Sequence, residues 1–241
     1  TYGLDVSKIK GTGKEGLITR KDVEEFMRTM KEPNELEIKD DVDDEIGLLD
    51  TIPYIGIRKV IGDNLTKSFH TAVHVTTGLE VDMTEAIKLR KKLMESAEFK
   101  NLSILALVSR AIVEAIKEYP ILNSELKDEK ILIKKNINMG IGVASPNGLI
   151  VPVIRNMQDM GFGNIAIEVQ RITEKGRDND VEMDDLTGGT ITLSNAGAFG
   201  AITSTPIINY PQCSVLWMGK AVKKPAVVND EIMIRSIMNL L

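Results

Sequence analysis

Residues 130–156 read KILIKKNINMGIGVASPNGLIVPVIRN. Two β-rich runs, KILIKKNINMGIGVAS and GLIVPVIRN, flank Ser145-Pro146-Asn147-Gly148, where proline suits the first turn position and Asn-Gly tolerates positive φ. This spacing predicts an antiparallel hairpin. Upstream, Ser103 stands as N-cap before a run whose Leu107, Ala111, Ala115 and Ile116 make it apolar nearly all round, and Pro120 stops it, so a buried helix is expected. Downstream, NIAIEVQRITEKGR carries a second helical period, and CSVLWMGKA and EIMIRSIMNLL are strand-like. Helices and strands thus interleave irregularly and with hairpins. An α/β chain with a mixed sheet covered by helices, rather than a doubly wound parallel one, is the expected fold.

The segment between residues 52 and 100 fits the same picture. Ile57, Val60, Ile61 and Leu65 recur at helical spacing in IGIRKVIGDNLTKSF despite Gly62, HVTTGLEVDM reads as a strand, and Asp82 and Glu85 frame a helix start. Residues 1–30 are different. A turn-rich opening leads to a short helical face of Val23, Phe26, Met27 and Met30, with Thr19 and Asp22 spaced as a capping box, and this is too small for a full core. Residues 31–50 are acidic, contain Pro33 and read as an extended linker.

Composition narrows the function classes. The chain of 241 residues carries a net charge of -5 and no basic cluster, which argues against a nucleic-acid or anionic-membrane surface. The single cysteine, Cys213, excludes an internal disulfide and favours a reducing compartment, cytoplasm or organelle matrix. No signal segment opens the sequence and no apolar run reaches the ~18 residues of a membrane span. No nucleic-acid or membrane partner is therefore expected.

Few residues offer chemistry. Gly11-Thr12-Gly13-Lys14 lacks the upstream glycine and the following Ser/Thr of a phosphate loop, so a structural turn is the better reading. His70 and His74 would share a helical face, yet nothing completes a metal-ligand set, and packing or substrate contact suits His74. Cys213 has no adjacent histidine and reads as a buried thiol. The run GGTITLSNAGAFG, residues 188–200, is more informative: a β-branched strand stops at Ser194-Asn195 and gives way to small residues, leaving a hydroxyl where another molecule could approach.

Whole blocks of the sequence resemble the dihydrolipoamide acyltransferases, the core components of 2-oxo acid dehydrogenase complexes. They are IRKVIGDNLTKSF, LALVSRAIVEAIKEYPILNS, INMGIGVASPNGLIVPVIRN, GGTITLSNAGAFG and TPIINYPQCSVLWMGKA, in the family's order. The opening GLDVSKIKGTGKEGLITRKDVEEFM is similar to the back half of a peripheral subunit-binding domain. The resemblance implies a two-layer, mixed-sheet sandwich of the chloramphenicol acetyltransferase-like type over residues 51–241, preceded by a partial small helical domain at 1–30 and the acidic linker at 31–50. It implies acyl transfer between a dihydrolipoyl thiol, carried on a lipoyl domain not in this chain, and coenzyme A as substrate. It further implies a homotrimer built into a large core, with a 2-oxo acid decarboxylase and dihydrolipoamide dehydrogenase as partners. Ser194 matches the family's catalytic serine, whose hydroxyl meets the developing oxyanion; Asn195 lies beside it, and Arg58 resembles an arginine that pairs with an acid near the site.

In the family a histidine of a His-x-x-x-Asp/Asn-Gly motif acts as base, and no such motif occurs in these residues. Neither His70 nor His74 matches it. The expectation is thus a catalytic domain truncated at its C-terminus, inactive as given, from an otherwise active acyltransferase, because losing an edge strand and helix would expose apolar sheet. The alternative is a non-catalytic oligomeric scaffold that binds partner enzymes without acyl transfer. A free-standing acetyltransferase fits less well with the subunit-binding stretch and linker.

Overall fold

A computed structural model describes residues 18–19, 21–22, 51–146 and 148–241, the side chains of Ile57 and Glu98 excepted. Residues 1–52 and 53–241 form separate units. In the first, Thr19 and Asp22 form the expected capping box: the Thr19 amide donates to Asp22 Oδ2 at 2.7 Å and the Asp22 amide to Thr19 Oγ1 at 3.4 Å. The Gly11–Lys14 turn, the apolar face of Val23, Phe26, Met27 and Met30, and the 31–50 linker lie outside the described residues.

The second unit is built on an eight-stranded mixed sheet. Its strands are β1 (Leu79–Asp82), β4 (Met139–Ser145), β5 (Gly148–Ile150), β6 (Val153–Ile154), β7 (Ile191–Asn195), β8 (Val215–Met218), β9 (Val222–Val228) and β10 (Glu231–Leu240), while β2 (Ser124–Lys127) and β3 (Lys130–Ile133) pair separately. The sheet order is β1-β10-β8-β7-β4-β5, with β6 also on β4 and β9 on β10. β4, β7 and β8 run parallel; the remaining pairings are antiparallel. The mixed sheet and the hairpin around residues 145–148 therefore stand as the sequence indicated.

Two of the sequence's long strands are broken in the structure. The 130–145 run divides at residues 134–138, where the buried Asn123 donates from Nδ2 to the carbonyls of Lys134 and Asn136 and turns the chain out of β3 into β4. The 148–156 run divides at Val151-Pro152, since proline offers no amide to a ladder, and both pieces stay on β4. Of the 74–83 stretch only Leu79–Asp82 is a strand, paired along β10.

Four helices, α1 (Gly56–Thr71), α2 (Thr84–Leu93), α3 (Ile104–Glu118) and α4 (Phe162–Arg177), complete the unit. Ser103 caps α3 by accepting from the Ala106 amide at 3.2 Å, and α3 ends at the residue before Tyr119-Pro120. The core lies between α3, α4 and one sheet face: Val113 and Ile116 meet Ile165, Val169 and Ile172, and these cover Met139, Ile141, Ile191, Leu193 and Met218. α1 stands apart from this core. It is tied instead to the 201–214 connection, where the Ser68 hydroxyl donates to the Ile208 carbonyl and Asn64 Nδ2 to Asn209 Oδ1.

Candidate functional site

β7 places its side chains on two faces in turn. Ile191 and Leu193 enter the helix-covered core, so Thr192 and Ser194 must project from the opposite face. Thr192 is closed off there, donating to Gln212 Oε1 at 2.6 Å in a buried pair. Ser194, two residues nearer the strand end, is half-buried and its hydroxyl makes no hydrogen bond among the described residues. A neutral donor that is neither sealed in nor spoken for is available to an incoming oxygen.

The parallel ladder sets its neighbours. Ser194 is in register with Gly142 on β4 and Trp217 on β8. A Cβ at position 142 would stand 3.3 Å from Ser194 Oγ, so the missing side chain leaves clearance at the hydroxyl. Beyond Ser194 the chain is fixed by its own turn: Asn195 Oδ1 accepts from the Gly197 amide at 3.1 Å, and the Ala196 amide donates to the Met218 carbonyl. Gly197 passes so close to β8 that a Cβ there would lie 2.3 Å from the Gly219 carbonyl oxygen. Small residues at this strand end thus serve close backbone approach as much as access.

The other residues singled out by the sequence fare differently. Arg58 is exposed in the first turn of α1 and makes no hydrogen bond or ion pair with Ser194, Asn195 or any other described residue. His70 is exposed. His74 has both ring nitrogens committed to backbone: Nδ1 lies 3.0 Å from the Ala72 carbonyl and Nε2 accepts from the Ile208 amide at 3.1 Å. The two contacts tie the ring to the backbone at Ala72 and Ile208, a packing role. Cys213 corrects the sequence reading. It is exposed, not buried, because the 201–214 connection carries it along the rim of a cavity of about 130 Å³ that His74, Ile208, Ser214 and Leu241 also line, and its thiol donates to the Leu122 carbonyl at 3.2 Å.

Three carboxyls among the described residues are held below the usual range, and none is on β7: Asp82 by hydrogen bonds from Thr84, Glu114 by the hydrogen bond from Lys117, and Asp185 by the hydrogen bond from Lys175. No cluster of three or more His, Cys, Asp or Glu among the described residues could hold a metal, and none of their helices is long and apolar enough to cross a membrane. Trp217 is the neighbour that the sequence did not reveal as part of this site. CSVLWMGKA reads as a strand, but only the ladder register shows that its tryptophan meets Ser194.

Comparison with known proteins adds three findings. Residues 48–241 match the family described as 2-oxoacid dehydrogenases acyltransferase (catalytic domain), and residues 1–24 match the e3 binding domain. The lipoamide acyltransferase component of the branched-chain alpha-keto acid dehydrogenase complex of Bacillus subtilis is 35% identical, over 99% of this chain and 62% of its own length, so the chain spans about three fifths of such curated relatives. Two solved structures superpose with a TM-score of 0.77 at 29% identity, covering 83% of this chain and 84% of each of theirs. One is the Azotobacter vinelandii dihydrolipoamide acetyltransferase, in which a serine, a histidine and an asparagine were investigated for their role in catalysis; the other is the cubic core of the pyruvate dehydrogenase multienzyme complex.

Proposed function

The chain belongs to the acyltransferase family of the 2-oxoacid dehydrogenases, and on that premise we propose that its protein transfers an acyl group between a dihydrolipoyl thiol and coenzyme A. Ser194 is the catalytic residue in this reading. As the incoming sulfur bonds to the thioester carbonyl carbon, that carbonyl oxygen becomes negative, and the Ser194 hydroxyl donates a hydrogen bond to it. The outgoing carbon–sulfur bond then breaks, the carbonyl re-forms, and the proton lost by the attacking thiol is matched by one gained by the departing sulfur. A single donor of this kind contributes about 3 kcal/mol to the transition state.

The supporting observation is the half-buried Ser194 hydroxyl with no partner of its own, beside a position where a Cβ would take up the clearance. A thioester is slender, and this strand end suits one. Asn195 acts by holding the turn through the Gly197 amide, a positioning role. Arg58, proposed as a structural residue near the site, has no hydrogen-bond or ion-pair partner among the described residues in support of that role. Neither histidine of this sequence is proposed as the base that deprotonates the attacking thiol.

The domain plan proposed is a subunit-binding module over 1–30, a linker over 31–50 and the catalytic domain from 51 onward. The match of residues 1–24 to an e3 binding domain supports docking of a dihydrolipoamide dehydrogenase component, alongside a 2-oxo acid decarboxylase. A homotrimer within a larger core is supported by the sheet face that carries Ser194, which no helix of the hydrophobic core covers. The second reading, a scaffold without transfer activity, is favoured by the commitment of His74 to backbone.

Acyl exchange between dihydrolipoamide and acetyl-CoA, isobutyryl-CoA or succinyl-CoA in turn, measured on the full-length gene product, separates the two. Exchange that falls ~10²-fold or more in Ser194→Ala supports the enzyme reading. A large assembly with no exchange, or exchange indifferent to Ser194→Ala, contradicts it.

A further inference from the structure

Acyl transfer through Ser194 leaves the size of the acyl group open, and the residue facing Ser194 across the ladder bears on it. We infer that Trp217 walls the acyl site and confines the substrate to an acetyl-sized group, an inference that rests on the role proposed for Ser194.

Ser194 and Trp217 are in register on parallel strands, which lie about 4.8 Å apart, and registered residues share a face. Leu216 and Met218, on either side of Trp217, pack in or against the helix-covered core, so the indole belongs to the other face with Ser194. There it is 3% exposed although no core helix covers it. Its indole N–H has no partner among the described residues, yet it is absent from their sealed, unsatisfied polar atoms, so that nitrogen is not wholly closed off.

The strand position is fixed and the ring has a place made for it. Trp217 exchanges two backbone hydrogen bonds with Leu241, at 2.8 and 3.0 Å, and a Cβ at Gly219 would lie 3.0 Å from its Cζ3, so glycine there admits the indole. On the opposite side of Ser194 stands Gly142, with no side chain at all. The hydroxyl therefore has the bare backbone of Gly142 on its β4 side and the strand position that carries the indole on its β8 side. An acetyl methyl makes the least demand on that face. A branched or carboxylated chain has to compete with the buried indole for it. This chain has one tryptophan, and its placement on the face of Ser194 rather than in the helix-covered core is what carries the inference.

The test uses the full-length gene product with dihydrolipoamide and, in turn, acetyl-CoA, isobutyryl-CoA and succinyl-CoA. The wild type should favour acetyl over both others by ~10-fold or more in kcat/KM, and Trp217→Ala should shift the isobutyryl-to-acetyl ratio by ~10-fold or more, with Trp217→Leu between them. Should Trp217→Ala and Trp217→Leu fail to fold, Trp217→Phe, which trims the ring without removing it, should shift the same ratio toward isobutyryl. A second readout is the emission lost on Trp217→Phe, which should change when acetyl-CoA is added to the wild type. Equal use of isobutyryl-CoA and acetyl-CoA by the wild type, or an unchanged ratio in a folded variant, overturns the inference. If that happens while Ser194→Ala still abolishes transfer, the wall is refuted and the acyltransfer reading survives; if Ser194→Ala is silent, both fall.

Discussion

The two faces of the central sheet are built from alternate residues of the same strands and have opposite characters. On one, Ile191, Leu193, Ile141 and Met218 disappear under α3 and α4. On the other, Gly142, Ser194 and Trp217 form a row across three strands that holds a bare backbone, an unpartnered hydroxyl and a large ring, with no core helix above them. The first face uses its residues to exclude water, and little chemistry is left on it. The second gives up packing at Gly142 and hydrogen bonding at Ser194, which is the usual cost of keeping a site open to ligand. A strand with this division supports fold and function at once, one residue apart.

Substitutions on adjacent residues test that division. Leu193→Ala on the closed face should cost about 2–5 kcal/mol in denaturant unfolding, since Leu193 is fully buried, while acyl transfer per folded molecule stays close to wild type. If turnover falls with stability unchanged, the faces have been wrongly separated. Gly197→Ala sits where the open face meets the turn. Its methyl must push against the Gly219 carbonyl and the Lys220 amide, so a loss of about 1–3 kcal/mol in stability together with reduced transfer is expected. A Gly197→Ala protein with wild-type unfolding and kinetics would show that the close approach to β8 is unimportant.

The smallest effect belongs to the far edge of the closed side, where Lys175 on α4 donates to Asp185 at 2.6 Å. Asp185 is held below its ordinary value of 3.8 by that bond, so its stabilising contribution is present above the carboxylate range and is lost as pH falls through the lowered value. Asp185→Asn should therefore lower the thermal midpoint slightly at pH 7, with the gap to wild type closing in acid, and acyl transfer untouched. A gap that widens in acid would reverse the assignment.

Much of the closed face could be read from sequence because it rests on periodicity. Ser103, Pro120 and the apolar run between them specify α3, and Pro146 with Gly148 specifies the hairpin, through local stereochemistry alone. Ser194 was visible as a hydroxyl at a strand end and through its resemblance to a family motif. Trp217 was not, because its meeting with Ser194 depends on the register of two parallel strands joined by a long connection, which no local pattern encodes. The exposure of Cys213 and the double backbone engagement of His74 were hidden for the same reason: both follow from where the 201–214 connection lies in space.

The role given to the hydroxyl is narrow enough to be isolated in one experiment. Steady-state acyl transfer by Ser194→Ala, with acetyl-CoA and dihydrolipoamide each varied, separates binding from chemistry. A hydroxyl that meets charge only as the thioester carbonyl is attacked should show kcat reduced ~10²-fold or more, with KM for both substrates and the unfolding midpoint near wild type. An unaltered kcat, or a loss that resides wholly in KM, would mean that Ser194 does not stabilise the oxyanion.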